Sequence, residues 1–461
     1  MKKFKKKSEL LEKGLQQMAS MSDEELKRLF PQLSAASAAA ACRNRIFTPE
    51  STIFLFMWQI LSMTSCVEAV QRVLLRMSLA GDRKASASSS AYCQARCRLP
   101  DKLFEKILSD TACALEAKVA EDHLWHGRHV KVVDGTSISM PDTPENQAAY
   151  PQPSSQKPGC GFPMMRILAV FSLASGALLS YMQGPLGDGE NTLFKKIITS
   201  FSNGDIILAD RGFCSFALFA ELIAMSGDAV IRMREKTIKN FEIIRKLGKD
   251  DCIIKWVRPV SLRNEEHLPE TLCMRMIKYR ICRPGFRTES VTVLTTLIDH
   301  ISFPAQEFAE LYVRRWQVEI NLKYLKTTLG MDILKCLSPE MIRKELAMHL
   351  IVYNLIRDLM FQAAVAHSAP LRSISFKYSM TIINQWTPYI FMTPTNAQRE
   401  KLIKKMLLYI AKSKVPDRPS RSEPRAVKRR PKPYQLLTAP RHIFVEIQHI
   451  KKYKKQAQNT P

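Results

Sequence analysis

The stretch DIILAD at residues 205–210, read together with HVKVVD at 129–134, decides the fold. Each is a short run of aliphatic and β-branched residues closed by an aspartate. Continuous apolar runs of this length suit strands buried inside a sheet. Beside the first, Met164 to Leu173 and Ala177 to Met182 read as a hairpin turning at Ser175-Gly176. Helical spans follow at Glu190 to Phe201 and Ser215 to Met225, with a further strand at Asp228 to Arg234. The order strand, hairpin, helix, strand, helix, strand predicts an α/β sheet, and strand ends are where such sheets build sites.

Downstream, residues 235–302 alternate short β-like runs (Cys252 to Val257, Leu272 to Cys282, Ser290 to Ile298) with charged turns. They read as a β-rich insertion; an ordinary continuation of the sheet is the alternative. Pro304 to Leu329 predicts one long helix. Ser338 caps the next, with Pro339 in its first turn, running to about His367. Thr395 to Lys412 is a further basic helix.

Upstream, residues 1–125 read as an all-α region, with helices at Pro49 to Met63, Cys66 to Met77 and Asp101 to Ala120. GDRK at 81–84 is a turn, followed by SAYCQARCRLP at 90–100, a helix carrying Arg96 and Arg98 and stopped by Pro100. That pattern fits a helix-turn-helix reader of duplex DNA and equally a packed bundle with solvated arginines. The expected divisions are 1–125, 126–234, 235–302, 303–370 and a helical, basic 371–461.

The chain has 461 residues, enough for several domains, and 69 Lys and Arg against 43 Asp and Glu, a net +26. Such an excess predicts an anionic polymer partner, most simply nucleic acid, with a basic membrane-surface protein as the alternative. Residues from Arg399 onward supply +14 of it. There RPSRSEPRAVKRRPKPY at 418–434 is suited to lie along a phosphate backbone, or to serve as a disordered solubilising tail. Eleven cysteines without a CxxC pair predict reduced, buried thiols in a cytosolic protein. MKKFKKK at the start is followed by no apolar signal region, and Ser51 to Val67 and Ile167 to Met182 are too short or too broken to span a bilayer. His123, His126 and His129 have metal-like spacing, but Gly127 interrupts any regular helix there. No P-loop, dinucleotide loop or Ser/His triad context appears.

On the helix YVRRWQVEINLKYLK (312–326), Tyr312, Arg315, Glu319, Lys323 and Lys326 fall within an arc of roughly 80°. Leu311, Val318, Leu322, Leu325 and Leu329 form the adjoining buried stripe. Alone, the polar arc is a solvated face with Glu319–Lys323 pairing. Combined with Asp134 and Asp210 it becomes a site. Two hard divalent cations roughly 4 Å apart need carboxylates converging from separate elements. Glu319 then serves metal, Arg315 clamps phosphate with its fork, and Lys323 and Lys326 act as point charges. Arg211, next to Asp210, is a further phosphate contact or a structural ion pair. Trp316, at the edge of the arc, is expected to pack rather than stack on DNA.

Tyr312, Arg315, Glu319 and Lys326 match the Y-x2-R-x3-E-x6-K signature of the IS4-type DDE transposases, which the chain therefore resembles. VVDGTSIS around Asp134, LADRGF around Asp210, TSCVEAV at 64–70, SAYCQARCRLP and PRAVKRRPKPY are also similar to that group. The resemblance implies an RNase H-like core with a β-rich insertion before the glutamate helix. Asp134, Asp210 and Glu319 would be its catalytic, metal-binding trio, served by two Mg²⁺ or Mn²⁺ ions. Tyr312, Arg315, Lys323, Lys326 and Arg211 would touch DNA. It further implies hydrolysis and strand transfer at the inverted repeats of an insertion sequence, with target DNA as second substrate. A homodimer would pair the ends, in the cytoplasm at the nucleoid and without a membrane. Family members open the second strand through a hairpin, using a tryptophan of the insertion. Here that segment offers Trp256, which is equally a core aromatic. A related nuclease that cuts without joining, and a catalytically inert DNA-binding descendant, are the alternatives.

Overall fold

A computed structural model describes residues 46–80, 86–233, 241–281, 289–393, 395–416, 436–445 and 454–455. MKKFKKK, the GDRK turn and the basic strip at 418–434 lie outside the described residues. The described residues begin with the helices α1 (Pro49–Ser62), α2 (Cys66–Ala80), α3 (Ser90–Arg98) and α4 (Asp101–Glu116). The Thr48 hydroxyl accepts from Ser51 N at 3.2 Å and Pro49 opens the first turn, so local chemistry fixes where α1 begins. Arg96 of α3 departs from both expected readings. It is only 5% exposed, donates to Gln59 Oε1, Cys66 Sγ and Cys336 Sγ, and lies 4.2 Å from the Phe56 ring centroid. It is an internal strut, neither solvated nor free to read a groove; Arg98 stays exposed.

The sheet follows: β1 (Val130–Ser139), a short helix α5 (Pro144–Ala149), β2 (Met164–Ser172), β3 (Leu178–Pro185), α6 (Glu190–Ile197), β4 (Ile206–Ala209), α7 (Phe216–Ala224) and β5 (Asp228–Arg232). Four more strands complete it: β6 (Phe241–Gly248), β7 (Asp251–Val257), β8 (Thr271–Ile281) and β9 (Glu289–Thr295). All nine form one mixed sheet in the order β3-β2-β1-β4-β5-β9-β8-β7-β6. β1, β4 and β5 run parallel, and β9 joins β5 antiparallel. The β-rich segment therefore extends the central sheet. Asp134 does not end its strand as expected. β2 pairs β1 along its length, from Lys131↔Ser172 to Ser139↔Met164, and carries the weak strand formers Gly135 and Ser137 with it.

Strand alternation splits the core into two layers. Val130, Val132, Ile206 and Leu208 face one apolar cluster that includes α1, α4 and the C-terminal helices. Val133, Ile207 and Ala209 face the other, against α6 and α7. Trp256 on β7 belongs to this second layer, buried edge-to-face against Phe216, Phe219 and Phe241. It is a core aromatic.

Five helices close the first layer: α8 (Ala305–Arg314), α9 (Gln317–Lys323), α10 (Pro339–Ala366), α11 (Phe376–Met392) and α12 (Asn396–Lys412). Ser338 Oγ accepts from Met341 N at 3.4 Å to start α10, which is buried along nearly its whole length and forms the hub. The single helix expected over 304–329 is broken. Arg315, Trp316 and Val318 donate to the carbonyls three residues back, tightening the turn, and a π-turn at Tyr324–Thr328 then widens it. Residues 305–329 contain neither Gly nor Pro, so composition gives no warning.

No single described helix is long and apolar enough to cross a membrane; the apolar stretch Ser51 to Val67 bends through 120° between α1 and α2. The described cysteines are all free, but Cys97, Cys113 and Cys273 are exposed, against the expectation of buried thiols. His123, His126 and His129 turn to three different acids, Asp122, Glu307 and Glu116, and form no common site.

Candidate active site

β1 and β4 hold the first two acids in register. Their parallel ladder pairs Val130↔Ile206, Lys131↔Ile207 and Val132↔Leu208. Two residues further along each chain stand Asp134 and Asp210. β1 continues along β2, while β4 stops at Ala209, so the ladder opens where the two acids stand opposite each other. Both have the parity of Val132 and Leu208, facing the layer that contains α9. Asp134 Oδ1 accepts from Gly135 N at 2.9 Å, and Asp210 Oδ1 from Gly212 N at 2.7 Å at the head of a 3-10 turn.

The third acid arrives on the broken helix. α9 packs against β1, and beyond the π-turn the chain is stitched back to the strand. Ser139 N donates to Asp332 O at 3.0 Å, and Leu334 N to Ser139 O at 2.9 Å. The tightened turn buries Arg315, 8% exposed, against Tyr312, while leaving Glu319 45% exposed. Arg315 donates to Glu319 Oε1 at 3.2 Å. Burial opposes its charge, but Tyr312, Asp134 and Glu319 outweigh that and hold the guanidinium protonated. Arg315 is thus the electrostatic link between Asp134 and Glu319.

Asp134 is strongly perturbed. Burial pushes its carboxyl up to about 6, the Gly135 amide and Arg315 pull it down, and the charges of Asp210 and Glu190 raise it further. An added cation would relieve this strain, and the donors are hard carboxylate oxygens suited to a divalent ion. Among the described residues, no three His, Cys, Asp or Glu side chains are arranged to hold a metal ion as they stand. Glu319 is drawn to Arg315 instead, and would have to turn from it to join a cation at the aspartates.

The other expected contacts divide. Tyr312 is buried beneath Arg315, whose guanidinium lies 5.7 Å from its ring centroid, so it backs the arginine more than it offers surface. Lys323 and Arg211 are exposed, and Lys326 is half-buried on the π-turn. Trp316, expected to pack, is 41% exposed with Arg315 5.4 Å from its ring centroid. Two residues were missed. Arg232, at the end of β5, places its charge on Tyr312 and on the partly buried Tyr279 of β8. Glu190 opens α6 beside Asp210. Its one sequence signal is GDGE at 187–190, a glycine-flanked acid at a strand-to-helix junction, which reads equally well as a turn.

Residues 125–355 match the family model described as the transposase DDE domain. Over 441 residues the chain is 26% identical to the transposase InsG for insertion sequence element IS4 of Escherichia coli K12, covering 92% of this chain and 94% of that protein. It is 30% identical over 162 residues to the putative transposase InsZ of the same organism, 34% of this chain and 53% of that one. Among solved structures, a piggyBac transposase synaptic complex with hairpin DNA aligns over 85% of this chain and 84% of its own, at 12% identity and a TM-score of 0.40.

Proposed function

The chain belongs to the IS4-type DDE transposases, a DNA transposase and thus a metal-dependent enzyme that cuts and transfers nucleic acid, and from that premise we propose that Asp134, Asp210 and Glu319 form its catalytic trio. The carrying observation is the register: Asp134 and Asp210 stand opposite each other just past the β1–β4 ladder, with Arg315 and Glu319 over the same face. The sheet order β3-β2-β1-β4-β5, with β1, β4 and β5 parallel, supports an RNase H-like core. In this reading residues 126–234 and 303–370 make the core, 235–302 are a β-rich insertion continuing its sheet, and 1–125 and 371–461 serve end binding.

Asp134 and Asp210 would hold the cation, Mg²⁺ or Mn²⁺, with Glu319 completing the set for a second ion once it leaves Arg315. Bound cations lower the pKa of water and offset the charge that builds on the phosphate and the leaving 3′-oxygen. Arg315, preorganised by Tyr312, would offer its fork to a phosphate beside the scissile bond, leaving the Glu319 carboxylate free to serve as a cation ligand. Lys323, Lys326, Arg211 and Arg232 supply further positive charge along the DNA. The 3′-hydroxyl freed by hydrolysis would then attack a target phosphodiester in the same site, giving up its proton and displacing the target's own 3′-oxygen, which leaves as a hydroxyl. Two ends must be handled together, which favours a homodimer on paired inverted repeats, acting in the cytoplasm at the nucleoid.

The test is incubation of the purified protein with its own element ends and Mg²⁺, mapping the strand breaks. Asp134→Ala, Asp210→Ala and Glu319→Ala are each expected to lower cleavage by on the order of a thousandfold or more, with end binding retained. Normal cutting by Glu319→Ala overturns the assignment.

A further inference from the structure

We propose that Glu190 is a fourth carboxylate of the active site, holding a divalent cation from the Asp210 side. The proposal rests on the reading of Asp134 and Asp210 as cation ligands and adds to it a residue that none of the motifs contains.

Two backbone clearances carry it. Each aspartate is followed closely by a glycine, Gly135 after Asp134 and Gly212 after Asp210. Neither glycine is required by a left-handed backbone. A side chain at Gly135 would have to displace the Glu190 carboxylate, and one at Gly212 that of Asp210. A Cβ on Gly135 would collide with the Glu190 carboxylate. A Cβ on Gly212 would lie 2.8 Å from Asp210 Oδ1 and 3.6 Å from Glu190 Oε2. The backbone of β1 and the turn after β4 therefore form a cradle, and the Glu190 carboxylate fills it beside Asp210.

The charge balance makes the same case. Glu190 is half-buried, and its carboxylate lies beside that of Asp210, both within 4 Å of a Cβ placed on Gly212. The opposing charge acting on it is Arg166 of β2, and among the described residues no ion pair or hydrogen bond engages the carboxylate. A third acid placed beside two partly desolvated acids is costly in the empty site and favourable once a divalent cation is present. A structural glutamate would be placed for the opposite balance.

The purified full chain separates the two by its response to Mn²⁺ alone, without DNA. In Glu190→Gln the metal-free protein is expected to melt higher than wild type, because one like charge is gone. The rise in melting temperature on adding Mn²⁺ is expected to shrink, and the Mn²⁺ dissociation constant read by electron paramagnetic resonance to increase roughly tenfold. Gly135→Ala is expected to weaken Mn²⁺ binding in the wild-type background and to add little in a Glu190→Ala background, because the clash partner is then absent. Glu190→Gln that melts lower without metal and keeps the wild-type Mn²⁺ affinity overturns the proposal. If Asp134→Asn and Asp210→Asn also bind Mn²⁺ normally, the cation site itself is elsewhere. If they lose it and Glu190→Gln does not, only the fourth ligand falls.

Discussion

Arg96 on α3 and Arg315 at the break between α8 and α9 are almost equally buried, both against an aromatic ring, and they do different work. Arg96 sits among neutral or soft acceptors, the Gln59 amide oxygen and the Cys66 and Cys336 sulfurs. Those bonds tie α3 to α1 and to the chain ahead of α10, and among the described residues no carboxylate is hydrogen-bonded to the guanidinium, although the charge of Glu345 acts on it. Arg315 shares its charge with Glu319, which remains open to solvent, and with Asp134 across the gap. A guanidinium whose acceptors are buried and neutral is a fastener. One whose acceptor is an exposed acid can exchange that acid for a phosphate at little cost. Burial alone does not separate structure from chemistry; the partner's charge and exposure do.

The largest expected contrast comes from removing each arginine. Arg315→Ala should lower cleavage of element ends by about a hundredfold to a thousandfold, the range for losing one preorganised charge donor. Arg315→Lys should recover only part of this, because a point charge replaces a two-pronged fork. If Arg315→Ala cleaves normally, the link between Glu319 and Asp134 is a surface ion pair and the comparison collapses.

Arg96→Ala should act on the other axis. It removes three hydrogen bonds and the stem packed on Phe56, for an expected loss of about 2–4 kcal/mol in urea unfolding. Cleavage per folded molecule should be unchanged. Arg96→Met, which keeps the stem, should restore part of the stability. Loss of end binding at wild-type stability would instead make α3 a DNA reader and remove the contrast.

How far the sequence discloses this pair depends on what each position requires. That Asp134 and Asp210 stand side by side was legible in part, because each closes an aliphatic run of the kind that forms neighbouring buried strands. The pairing of Glu319 with Arg315 was legible from helical spacing, which puts them four residues apart on one arc. Arg96 was not, because helical spacing puts it on the same face as Tyr92 and Ala95 but cannot say that soft acceptors wait opposite. The helix break at Arg315 was hidden for a related reason, as it is imposed by packing against β1 without any breaker residue. Strand β1 overran its expected end because β2 supplies a partner along its length. Glu190 was hidden most deeply, since its relation to Gly135 and Gly212 exists only after three elements meet.

The smallest expected effect tests the empty site by pH. In the unfolded chain Asp134 titrates near its ordinary 3.8, and in the folded protein near 6, with burial the main cause. Between about pH 4 and pH 6 the folded state therefore keeps a proton that the unfolded chain has released. Metal-free stability should fall as pH rises through that window and level off above it. Asp134 is only partly shielded from solvent, so the full shift is discounted to roughly 1–2 kcal/mol. His349 works the other way: burial lowers it to about 3, so it costs stability as pH falls from about 6.5. The two overlap in a raw melting curve, and the difference between wild type and Asp134→Asn isolates the aspartate. That difference should disappear below pH 4 and reach its full value near pH 6, with Asn the more stable. Saturating Mn²⁺ should reverse its sign, because the cation favours the charged carboxylate. An Asp134→Asn difference that is flat with pH, with and without Mn²⁺, would mean that Asp134 stands in water and that Arg315 has no buried acid to serve.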